Sequence, residues 1–176
     1  MNINNEYKFL TTLYIKSAHE IKNDYNPNFS FILNALQHFI GKDIIPEKVM
    51  KTVLKKKEPL HYVLDRFNNS PLKRKYLAES QALLNGAYMT IDGITDKSVY
   101  FYDINKNYYF YIDSSPILDE PKTHCYCGVW SNTTPEKEVF SFSCEKKEFK
   151  EDKSLKEKLA LFMFITSDEF KEIEKW

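Results

Sequence analysis

The sequence predicts an α+β protein: about five helices in residues 1–86, packed on a mostly antiparallel sheet with a terminal helix in residues 87–176, the whole forming one domain. Three observations predict it. Apolar residues recur at helical spacing up to Gly86 and in alternation after it. Charge changes sign at the same place: residues 1–85 hold 13 Lys/Arg against 8 Asp/Glu, and residues 86–176 hold 12 against 17. The 27 aromatic residues among 176 are enough large side chains for a substantial core.

The elements follow in order. Phe9, Leu10, Leu13, Tyr14 and Ile21 mark a first helix over about 6–23. Asn26-Pro27 is a cap followed by a first-turn proline, and Phe31, Ile32, Ala35, Leu36 and Phe39 carry a second helix to Gly41. Pro46 opens a third, with Val49, Met50, Val53 and Leu54 inward and Lys48, Lys51 and Lys55 outward. Pro59 precedes a short fourth with Leu60, Val63, Leu64 and Phe67, and Ser70-Pro71 starts a fifth with Leu72, Tyr76, Leu77, Leu83 and Leu84, stopped by Gly86. Strands are then expected at Tyr88–Ile91, Ser98–Ile104, Tyr108–Asp113, Thr123–Trp130 and Glu138–Cys144. Ser154-x-x-Glu157 is a capping box that suits a helix. The run Leu159–Ile165 is apolar throughout and fits either a buried strand or a helix. Thr166-x-x-Glu169 marks a last short helix.

Composition excludes several functions. A net charge of zero and 43% apolar residues argue against disorder and against a wholly basic nucleic-acid coat. The first ten residues lack the pattern of a signal peptide, and Leu159–Ile165 is far shorter than the roughly 20 residues that span a bilayer. Three cysteines form an odd set. Together these predict a cytoplasmic protein without a membrane partner. The four glycines, at 41, 86, 93 and 128, form no phosphate loop, which disfavours the common nucleotide-binding folds, and no small-molecule substrate is evident.

No metal and no cofactor are expected. His124-Cys125-Tyr126-Cys127 with Cys144 resembles a zinc ligand set, but alternation puts Cys125, Cys127 and Val129 in one strand row, with Phe140, Phe142 and Cys144 as its neighbour. Cysteine in such rows behaves as a small apolar residue. His19, His38, His61 and His124 lie in no catalytic signature, so no catalytic residue is assigned. The lysines at 48, 51, 55, 56 and 57, with Lys73-Arg74-Lys75, could track nucleic-acid phosphates, or simply be a solvated helix face.

The richest segment runs from Val99 to Asp113. A two-residue turn at Asn105-Lys106 would pair Val99 with Ile112 and Phe101 with Phe110, leaving Tyr100, Tyr102, Tyr109 and Tyr111 together on the other face. Residues 86–121 carry six acids, including Asp92, Asp96, Asp103 and Asp113, against Lys97 and Lys106. Rigid aromatic rings beside carboxylates suit a basic protein partner, with Tyr100, Tyr102, Asp103, Tyr109, Tyr111, Asp113, Asp92 and Asp96 as the binding residues.

In size, in its lysine, asparagine and tyrosine bias and in its lack of a catalytic signature, the chain resembles the small immunity proteins of bacterial contact-dependent toxin systems. The likeness is one of general character over the whole chain. It implies a non-catalytic inhibitor that binds a cognate toxin, such as a nuclease domain, and blocks it. Two other classes fit the residues: a nucleic-acid-binding accessory or phage-type regulator using the lysine face, and an effector enzyme with a dispersed site.

Overall fold

The computed structural model describes the backbone of residues 3–39, 45–92, 98–103, 108–113, 124–131, 137–145 and 153–172, and the side chains of 3–39, 45–85 and 155–172. Seven helices appear among them: α1 (Ile3–Asn23), α2 (Phe29–Phe39), α3 (Glu47–Leu54), α4 (Pro59–Asn68), α5 (Lys73–Asp92), α6 (Lys153–Ile165) and α7 (Asp168–Lys171). The chain forms two compact units, one of Met1–Leu77 with Ala160–Trp176 and one of Ala78–Leu159.

The second to fifth helices begin within a few residues of the expected punctuation, while α1 starts at Ile3, ahead of the expected 6. Asn26 accepts the Asn28 amide on its side chain at 2.9 Å and the Phe29 amide on its carbonyl at 3.0 Å, which turns the chain into α2. Pro46 stands immediately before α3, and Pro59 is the first residue of α4. Proline fits there because its fixed φ is already helical and its missing N–H has no intrahelical partner to lose. Val49, Met50, Val53 and Leu54 of α3 are buried, as their spacing requires.

The α+β expectation is overturned, because the core is helical. Leu159–Ile165, which fits strand or helix by sequence, is the second half of α6 and is buried on every side. A helical segment apolar all round must be enclosed, and rings of α2, α4 and α7 pack on this half of α6. Phe162 packs on Phe39 of α2 with ring centroids 6.0 Å apart, and Phe164 packs on Phe67 of α4 at 5.7 Å and on Phe170 of α7 at 5.4 Å. The C-terminal helices therefore fill the place that the sequence reading gave to a sheet, and the first unit is a helical body.

Two smaller expectations fail with it. Gly86 does not stop α5, which continues to Asp92, so the strand expected at Tyr88–Ile91 is helix. An interior glycine costs only about 1 kcal/mol relative to alanine, and Ala87 and Met89 beside it are good helix formers. The cap of α7 is Ser167, whose hydroxyl accepts the Phe170 amide at 3.3 Å, whereas Thr166 turns back to the Phe162 carbonyl at 2.7 Å.

The second unit contains an antiparallel meander of β1 (Ser98–Asp103), β2 (Tyr108–Asp113), β3 (His124–Ser131) and β4 (Lys137–Glu145), in the order β1-β2-β3-β4. Its strands lie close to the expected spans.

Candidate functional site

The expected binding residues fall as follows. Val99 is opposite Ile112 and Tyr100 opposite Tyr111, as a hairpin over this segment predicts. A register shift between Tyr100 and Tyr102 then puts Tyr102, not Phe101, opposite Phe110, and Asp103 opposite Tyr109. The extra residue on β1 breaks the clean division into a tyrosine face and a phenylalanine face, because a one-residue slip inverts the alternation. Asp113 is opposite Ser98, at the other end of the pair from Asp103. Asp92 is the last residue of α5. Asp96 and the Asn105-Lys106 turn lie outside the described residues.

The cysteines keep the expected rows at the level of the backbone. Cys125 is the Cα partner of Cys144, Cys127 of Phe142 and Val129 of Phe140.

The described side chains form one polar cluster that the sequence does not announce. Leu13, Ser17 and Glu20 recur at i, i+4 and i+7 on the buried face of α1, so the Glu20 carboxylate is fully enclosed. Its two oxygens accept the backbone amides of Leu60 at 2.9 Å and His61 at 2.5 Å. These are among the free N–H groups that open α4, so Glu20 supplies the cap of a helix some 40 residues away, with its charge at the favourable end of the dipole. The cap residue itself, Glu58, makes no side-chain capping bond.

His61 completes the cluster. Its Nδ1 lies 2.6 Å from Glu20 Oε1, its Nε2 lies 2.9 Å from Asp24 Oδ2, and Glu58 is 4.0 Å away. The Phe29 ring meets the imidazole edge-on at 4.6 Å. Burial lowers the His61 pKa, but the hydrogen bonds to Asp24 and Glu20 and the charges of Glu20 and Glu58 outweigh it, and the pKa ends above the ordinary 6.5. With a carboxylate facing each nitrogen, both ring positions of the imidazole are engaged. The cluster is a clamp between the end of α1 and the start of α4.

A second feature lies where α4, α5 and α7 meet. A cavity of about 480 Å³ is lined by Arg66, Asn69, Ser70, Pro71, Leu72 and Glu169. Glu169 accepts the Ser70 hydroxyl at 2.6 Å and the Tyr76 hydroxyl at 3.0 Å, which ties α7 to the start of α5. The seryl hydroxyl donates to the Glu169 carboxylate, and among the described residues no histidine is bonded to it.

Among the described residues no group of three or more His, Cys, Asp or Glu is placed to hold a metal ion, and no helix is long and apolar enough to cross a membrane. Comparison of the chain with protein-family models, with curated proteins and with solved structures gives no match in any of the three.

Proposed function

We propose that this chain is a non-catalytic inhibitor of the immunity type, which binds a cognate bacterial toxin in the cytoplasm and covers its working surface. One observation carries the reading. Backbone pairing of β1 with β2 sets Tyr100 across from Tyr111 and places Asp103 and Asp113 at opposite ends of one hairpin, inside a segment with four more acids than bases. Within the described sheet β1 pairs only with β2, which leaves an outer strand for a partner chain to meet. A basic toxin domain, for instance a nuclease that grips phosphates, matches this charge, and carboxylates speed such an encounter.

The enzyme alternative gains no support from the described histidine–carboxylate cluster, since both ring nitrogens of His61 face acids. The test of the inhibitor reading is binding to the toxin domain encoded by the neighbouring reading frame. Asp103→Lys with Asp113→Lys is expected to slow association roughly tenfold and to flatten its salt dependence. Unchanged affinity and an unchanged salt slope would remove this hairpin from the interface.

A further inference from the structure

Residues 48–57 contain five lysines and no acid, and all five are exposed. Lys48, Lys51 and Lys55 recur at i, i+3 and i+7, forming one row on α3 opposite its buried Val49, Met50, Val53 and Leu54. The ordinary reason for basic residues at a helix C-terminus is to meet its last carbonyls and its dipole. Here that work is done from another helix. Lys16 of α1 donates to the carbonyls of Leu54 at 2.5 Å and Lys56 at 3.0 Å, while the amides of Lys55 and Lys56 close on Lys51 and Val53. Lys51 has Glu47 at 3.1 Å, an exposed pair that neutralises little. Lys48, Lys55 and Lys57 have no acid in ion-pair contact among the described residues. Lys56 and Arg66 both lie against Tyr62, at 4.8 and 5.3 Å from its ring centre, so the positive surface continues onto α4.

We propose that this corner of α3 and α4 binds nucleic-acid phosphates without regard to base sequence. The lysine row is about 10 Å long at about 1.5 Å per residue, a length over which one strand of a duplex presents about three phosphates at about 3.4 Å of axial rise each. Lysine is a point charge suited to such contacts. Base reading calls for forked arginines, and the corner has one, already against a tyrosine. The surface goes beyond the inhibitor reading and does not depend on it.

The test uses the full chain without any toxin and a fluorescent DNA duplex of about 30 base pairs, read by anisotropy. Three or four phosphate contacts predict a loss of affinity of roughly 40- to 150-fold between about 50 and 200 mM salt. The triple variant Lys48→Glu, Lys55→Glu, Lys57→Glu is expected to melt like the parent and to lose the duplex. Lys8→Glu, Lys22→Glu, Arg74→Glu removes the same charge from other exposed sites and is expected to lose at least tenfold less affinity. No binding at the lower salt would overturn the proposal, as would equal losses in the two triple variants. Retention on phosphatidylserine vesicles without duplex binding would replace nucleic acid with a membrane surface and overturn it as well.

Discussion

A histidine held between two carboxylates makes its contribution to stability only while it carries its proton. The His61 pKa is raised above 6.5, the ordinary value that the unfolded chain restores. Its contribution is therefore complete below pH 6.5 and declines as pH rises through the higher folded value. Urea unfolding at about pH 5.5 and pH 8.5 should show the parent chain losing stability over that window, with His61→Gln flatter across it. A parent no steeper than the variant would show that the clamp is neutral at both pH values. Glu20 is the other half of the device, and it is fully buried. Glu20→Ala strands two helix-opening amides and removes the carboxylate facing the imidazole Nδ1, so a cost of about 3 kcal/mol in the same titration is expected. Neither role can be read locally. Leu13, Ser17 and Glu20 share a helical face, but the partner of Glu20 is 41 residues away, and nothing in either segment names the other.

Helix starts were legible where the chemistry is local. Asn26, Pro46, Pro59 and Ser70 each act within a turn of their own position, and the structure begins a helix or a turn at each. Helix ends and inward faces were less so. Tyr14 and Leu72 fit the expected apolar stripes yet remain 43% and 41% exposed, because spacing selects a face without saying how wide a stripe the neighbours cover. The larger error came from Gly86, read as a stop although an interior glycine is compatible with helix, while Leu159–Ile165 stayed open between strand and helix because an unbroken apolar run suits both. Of the expected binding residues, strand positions and the Tyr100–Tyr111 pairing were legible, while the irregularity after Tyr100 was not. The helix through Gly86 makes a sharp prediction. If residue 86 is helical, Gly86→Ala stabilises the chain by about 0.5–1 kcal/mol, since alanine loses less backbone freedom there. At a left-handed helix stop the same change would destabilise it, so the sign of the shift in the thermal midpoint decides between the two.

At the scale of the whole molecule, the helical unit is discontinuous: its N-terminal part ends at Leu77 and its C-terminal part resumes at Ala160, with Ala78–Leu159 forming the other unit between them. Phe162, Phe164 and Phe170 are fully buried, and each contributes about 1.5–3 kcal/mol on transfer from water. Against a typical domain stability of about 5–15 kcal/mol, that share is too large to lose. The N-terminal helices are well punctuated, yet their core is closed only by α6 and α7. A fragment of residues 1–152 is therefore expected to lack a cooperative thermal transition and to bind a hydrophobic dye such as ANS. Adding a peptide of residues 153–176 should restore the transition and displace the dye, because Phe39 and Phe67 regain the rings they face. If the fragment instead melts cooperatively near the midpoint of the full chain, α6 and α7 are not part of its core.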